Sequence, residues 1–192
     1  MHDYQFGFRK KRSTQFALLA YLDFITEALE NNEYAISLFI DFSKAFDTLN
    51  HAILIRKLEH YGVRGIALDY IQNYLTNRTQ CVDLEGSLSS HMQITCGVPQ
   101  GSILGPLLFI IYVNDIFSCS KILRLFLFAD DTTIVNRGKN LTHLIHQTNS
   151  ELILIKDWLN ANKLTVNIKK LIIYYSKVIK LMRIILIFSL TT

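Results

Sequence analysis

The sequence predicts an α+β domain, with an antiparallel sheet lying under packed helices, and three observations predict it. Ala35–Ile40 and Leu123–Phe128 are apolar runs of strand length, and each leads toward aspartate. Two longer stretches, about 14–31 and 141–160, carry apolar residues at helical spacing instead. The order in which these strands and helices follow one another fits the mixed class. With 192 residues, half of them apolar, the chain can bury one substantial core.

The elements follow in order. Ser13 or Thr14 caps a helix to about Asn31, with Phe16, Leu19, Leu22, Ile25 and Leu29 as its apolar positions. Asn31-Asn32 breaks it, and Ala35–Ile40 reads as a buried strand ending on Asp41. Asn50 caps a helix that Gly62 closes, and another helix spans about Ile66–Leu75. Residues 79–96 read as a hairpin with Gly86-Ser87 at or near its turn. After the loop Gly97–Gly101, a strongly apolar helix runs from Ser102 to about Val113, with Pro106 tolerated in its first turns. A second strand, Leu123–Phe128, turns at Asp130-Asp131 into Thr132–Val135. The helix over 141–160 turns Leu144, Leu152, Ile155 and Leu159 toward the core.

Leu171–Leu190 is apolar enough to raise the question of a membrane span. Lys177, Lys180 and Arg183 within it argue against one. A strand followed by a degraded or frame-shifted tail is preferred to an interfacial helix.

The net charge of +4 is not spread evenly. Five cations (Lys169, Lys170, Lys177, Lys180, Arg183) lie from residue 169 onward with no acid, and before them 16 acids face 15 cations. Overall charge is therefore no evidence for nucleic-acid binding. The local run Arg9-Lys10-Lys11-Arg12 is better evidence, since adjacent cations neutralise phosphates and release counterions. Cys81, Cys96 and Cys119 have no zinc-ligand spacing and are expected as buried reduced thiols. The start of the chain shows no apolar signal region.

Asp41 and Asp130-Asp131 carry the chemistry. A carboxylate after an apolar run is costly to bury unless it pairs or binds a cation. Two such strand ends in one sheet would gather three carboxylates, whose mutual repulsion a divalent metal relieves. Mg²⁺ suits such a site, completing its octahedron with water and phosphate oxygens. An isolated Asp-Asp is more often a cap or a solvated hairpin tip, so the dyad alone is a weak signal.

The surrounding motifs strengthen it. Phe128-Ala129-Asp130-Asp131 resembles the reverse-transcriptase signature, and Asp41-Phe42-Ser43-Lys44-Ala45-Phe46-Asp47 resembles the first carboxylate motif of those enzymes. Gly97–Ser102 with Gly105-Pro106 is similar to their intervening motif. Gln5-Phe6-Gly7-Phe8-Arg9 with Ser13-Thr14 resembles the fingers motif of non-LTR retrotransposons, notably the jockey-like group. Trp158 and Asn162-Lys163-Leu164, followed by Asn167 and Lys170, resemble the next motif in order. The resemblance spans about residues 4–174 and departs at Lys11, where many relatives have glycine, and at Leu171.

The resemblance implies a polymerase palm with partial fingers and no thumb. Fingers would occupy about 1–34 and palm about 35–175, with 176–192 a divergent tail. It implies RNA-directed DNA polymerisation with two Mg²⁺ ions, Mn²⁺ being a substitute. The metal ligands would be Asp41, Asp130, Asp131 and the Phe42 carbonyl. Lys44, Ala45, Phe46, Gln100 and Gly101 would contact the nucleotide, with Phe46 as a steric gate against the ribose 2′-hydroxyl. Arg9 and Lys10 would meet template or triphosphate, and Lys170 is the candidate acid for pyrophosphate.

Expected partners are an RNA template, a DNA primer and deoxynucleoside triphosphates, with no membrane. The endonuclease and thumb of a longer polyprotein are also expected. An active element would work inside the cell, plausibly in the nucleus. A catalytically silent remnant is the alternative. A nucleotide cyclase is disfavoured by the fingers motif and the Pro-Gln-Gly loop, and an intron maturase is the nearest rival. His143 and His146 share a helix face without a third ligand. Asp47 and His51 are explained by caps and helix contacts, and Trp158 by core packing.

Overall fold

The computed structural model describes residues 1–99, 101–167 and 172–176. It divides into two compact units: Met1–Ser43 together with the described residues from Val113 onward, and Lys44–Tyr112.

The first unit is built on a four-stranded antiparallel sheet of order β6-β7-β1-β8, formed by β1 (Tyr34–Asp41), β6 (Arg124–Phe128), β7 (Asp131–Gly138) and β8 (Ile172–Ser176). Helix α1 (Thr14–Glu30) starts where the Ser13 hydroxyl accepts from the Phe16 amide at 3.3 Å. It packs on the sheet face that carries Phe39, Phe126 and Val135, where Phe39 and Phe126 flank Thr133 of β7. Tyr21 meets Phe39 and Phe126 edge to face, Phe24 meets Phe126 likewise, and the Tyr21 hydroxyl donates to Ser37 Oγ. Phe126 is buried, which for a ring of this size contributes about 1.5–3 kcal/mol, while Tyr21, Phe24 and Phe39 are partly buried.

The face of α1 differs from the expected one. Ala17, Ala20, Tyr21, Phe24 and Ile25 meet the core, while Phe16, Leu19, Leu22 and Leu29 are exposed. The helix is apolar on more than one side, so periodicity alone did not select the packed stripe. Helix α5 (Leu141–Ala161), capped by Asn140, buries Leu144, Leu152, Ile155 and Leu159 as expected. Buried Asn136 of β7 donates to Thr148 Oγ1 of α5, so a polar group inside this interface is satisfied.

The second unit holds α2 (His51–His60), α3 (Ile66–Leu75), two short ladders and most of α4 (Leu104–Val113). Asn50 accepts from the Ile53 amide and caps α2, and Lys57 and His60 sit in its last turn, where the helix dipole favours cations. The expected hairpin is two ladders, β2–β5 (Thr79–Gln80 with Met92–Gln93) and β3–β4 (Asp83–Leu84 with Ser87–Leu88). Glu85-Gly86 forms the tip, both at positive φ, as a type I′ turn requires.

The cysteines form no disulfide, but they are not buried as expected: Cys96 is exposed, and Cys81 and Cys119 are intermediate. Among the described residues, no helix is long and apolar enough to cross a membrane. Most of Leu171–Leu190 lies outside the described residues, though the strand expected at its start is present as β8.

Candidate functional site

In the first unit, β1 and β7 pair antiparallel so that Asp41 stands directly opposite Asp131. Directly opposed residues project from the same sheet face, so these two carboxylates share one side of the sheet end. The turn between β6 and β7 is Ala129-Asp130, because Phe128 and Asp131 form the last pair of the ladder. The turn therefore falls one residue earlier than the sequence suggested, and Asp130 belongs to the loop rather than to the strand.

Ala129 adopts φ +58°. Of the two loop residues only Ala129 has a positive φ, a backbone that favours glycine. An L-residue with a side chain costs about 1–2 kcal/mol in the left-handed region. That strain is held by a third segment. Residues 4–6 lie parallel to β6, with Phe6 N donating to Leu127 O (2.7 Å) and Leu127 N to Tyr4 O (2.9 Å). Gln5, fully buried, accepts through Oε1 from the amides of Gly7 (2.9 Å) and Ala129 (3.3 Å). At Gly7 a Cβ would stand 2.1 Å from the Ala129 nitrogen, so only glycine permits this approach.

Phe42, the next expected ligand, is buried and bridges Val166, with Ser43 N donating to Thr165 O and Asn167 N to Asp41 O. The segment after α5 is thereby laid beside the end of β1. Lys170 lies outside the described residues.

All the acidic donors are oxygens, the chemistry that hard divalent cations prefer. The backbone opposes two carboxylates and puts the third next in sequence. Among the described residues, however, no three His, Cys, Asp or Glu side chains are gathered in a group that could hold a metal ion. The donor types fit magnesium, and the register fits two of the three expected positions.

Arg9 and Lys10 differ in their engagement. The Arg9 guanidinium donates to the carbonyls of His2 (2.6 Å) and Gln5 (2.9 Å), folding the start of the chain onto itself. Arg12 lies over Phe6 and 3.5 Å from Asp3, while Lys10 and Lys11 are exposed. Lys11 takes φ +61°, a conformation that glycine adopts without the steric cost of a side chain.

In the second unit, Lys44 is exposed at φ +49°, Ala45 is buried, and the Phe46 ring lies 4.8 Å from that of Phe109 in α4. Segments 46–50 and 96–98 run side by side. Gly97 N donates to Leu49 O, Val98 N to Phe46 O, and His51 Nε2 donates to Gly97 O at 2.7 Å. Gly97 has φ +83°, and a Cβ there would sit 2.7–2.9 Å from the Asp47 backbone. His51, read from sequence as a helix contact, is thus a tie between two motifs 46 residues apart. Gly101 takes φ +79°, and Gln100 lies outside the described residues.

A cleft of about 680 Å³ opens in this unit, lined by Lys44, Asp47, His51, Arg78, Cys96 and Pro99 among others. Arg78 is a lining cation that the sequence reading did not single out. His143 and His146 are exposed, and Trp158 Nε1 donates to Asp115.

The family described as "Reverse transcriptase (RNA-dependent DNA polymerase)" matches residues 1–182. The RNA-directed DNA polymerase from mobile element jockey of Drosophila melanogaster is 30% identical over 174 residues, covering 87% of this chain and 19% of the relative. The probable RNA-directed DNA polymerase from transposon X-element of the same species is 33% identical over 141 residues, covering 71% of this chain and 15% of the relative. The chain thus spans about a fifth or less of the length of these relatives.

Among solved structures, a Candida albicans telomerase in complex with a fragment of telomeric RNA has a TM-score of 0.63 at 18% identity, covering 84% of this chain and 31% of that one. An apo telomerase from Candida tropicalis has 0.59 at 18%, covering 86% and 36%. These likenesses concern the fold alone.

Proposed function

Because the chain belongs to the reverse transcriptase family, we propose that it is the RNA-directed DNA polymerase domain of a jockey-like non-LTR retrotransposon. It would extend a primer 3′-hydroxyl with deoxynucleotides by copying an RNA template. The observation that carries this reading is the family match over residues 1–182, within which Asp41 stands opposite Asp131 in one sheet.

In this mechanism Asp41, Asp130 and Asp131 would hold divalent cations, with the Phe42 carbonyl as a further oxygen. Two Mg²⁺ ions, or Mn²⁺ in their place, would supply activation of the primer hydroxyl and neutralisation of charge on the leaving pyrophosphate. The carboxylates' part is to fix these charges before the reaction, so that no reorganisation is needed during it. Lys44 and the Ala45 amide receive the triphosphate, and Gln100 and Gly101 contact the nucleotide. Phe46, half-buried against Phe109, would exclude a 2′-hydroxyl by the bulk of its ring. Exposed Lys10 meets the template or triphosphate, as would Arg9 once its bonds to the His2 and Gln5 carbonyls are exchanged. Lys170 gives a proton to the departing pyrophosphate. The fingers, palm and tail boundaries, and the endonuclease and thumb of a longer protein, belong to the same proposal.

The test is primer extension on an RNA template with Mg²⁺, by the chain and by Asp130→Asn. Metal-dependent extension is expected from the former, and only the level of a chelated control from the latter. A folded chain that extends nothing would return the reading to a silent remnant.

A further inference from the structure

We infer that Gln5 is a positioning residue, whose side-chain oxygen fixes the Ala129-Asp130 turn and so aims the Asp130 carboxylate. The clamp is an observation of geometry; its consequence for metal binding rests on the polymerase reading.

A two-residue hairpin is closed by its last ladder pair, here Phe128 with Asp131. The amide of the first loop residue lies outside that ladder. In this chain the Ala129 amide is captured by Gln5 Oε1, from a residue 124 positions away. The same oxygen accepts from Gly7 N, so both its partners are N–H donors and the amide orientation is determined. Gln5 is fully buried, and among the described residues its Nε2 has no hydrogen-bond partner. An aliphatic side chain would avoid that orphan donor, so packing alone does not explain a glutamine here. The oxygen does. It holds the peptide entering Ala129, whose positive φ the chain would otherwise relax, and Asp130 is the next residue. A carboxylate on a strained turn is aimed only as well as the turn is fixed.

The test uses the 192-residue chain with Gln5→Met, which keeps length and burial but removes the acceptor, and with Gln5→Glu, which keeps an oxygen at the same place. Residue-resolved amide exchange is read without metal. Mn²⁺ affinity is read by paramagnetic broadening at Asp130. In Gln5→Met the Ala129 amide should exchange about tenfold faster while β1 and β7 keep their protection. Mn²⁺ binding should weaken about tenfold, the scale of an outer-shell support. Gln5→Glu should keep Ala129 protected. Unchanged Ala129 exchange in Gln5→Met overturns the inference. So does equal deprotection in Gln5→Glu, or a loss spread through β1 and β7 in both variants, which would make Gln5 a core filler. If the unaltered chain binds no Mn²⁺ at Asp130, the metal role of Gln5 falls with the polymerase reading, while the exchange data still decide whether the clamp exists.

Discussion

The tip of the β6–β7 hairpin and the loop around Gly97 solve one problem in two ways. Each brings together segments far apart in sequence, and each does so through a glycine with no room for a side chain. At Gly97 the glycine also takes the unusual backbone angle, so crowding and positive φ are met by one residue. At the hairpin they are separated: Gly7 supplies the close approach, while Ala129 carries the positive φ and its cost. The polar ties differ too. His51 reaches Gly97 O from a part-buried position, whereas Gln5 is sealed inside. The lesson is that the second loop is relaxed and the hairpin is held under load, and loaded backbone tends to gather where function needs a fixed geometry.

The largest expected effect is at Gly7. Gly7→Ala puts a Cβ 2.1 Å from backbone nitrogen, which no side-chain adjustment relieves, and should cost about 3 kcal/mol or more in urea unfolding. Gly97→Ala, with contacts of 2.7–2.9 Å and φ +83°, should cost about 2–3 kcal/mol by the same measurement. If the order reverses, residues 4–8 have peeled away from the sheet instead of straining it, and the hairpin is less loaded than described. The smallest effect separates the two regions most clearly. Ala129→Gly should raise the melting temperature by about 2–4 °C, relieving close to 1 kcal/mol of left-handed strain. No rise would mean that Ala129 is already at ease.

Much of this fold is legible along the chain, because the signals are local. Ser13 and Asn50 cap their helices, and the apolar spacing of α5 predicts its buried face. What the sequence does not display is whatever depends on partners distant in it. The positions of Asp41 and Asp130-Asp131 announce a carboxylate site, yet which aspartate faces Asp41 follows from the ladder closing at Phe128 and Asp131. Gln5 reads as one letter of a motif, and its bond to Ala129 is invisible until the sheet forms. The packed side of α1 is hidden for another reason: leucines and phenylalanines surround the helix, and the sheet chooses the side with Ala17, Ala20 and Ala28, where the backbone can come close. The cysteines depart from expectation because frequent burial is a property of the residue type, and position overrides it.

The parallel bridge at Gln5 has one more consequence. In the sheet order β6 is a border strand, and the outer hydrogen-bonding groups of its Leu127 are engaged by residues 4–6. Strands left bare at a border recruit other chains and aggregate. The first six residues therefore serve as a guard rail, and a recombinant chain trimmed to begin at the α1 helix would trade solubility for brevity.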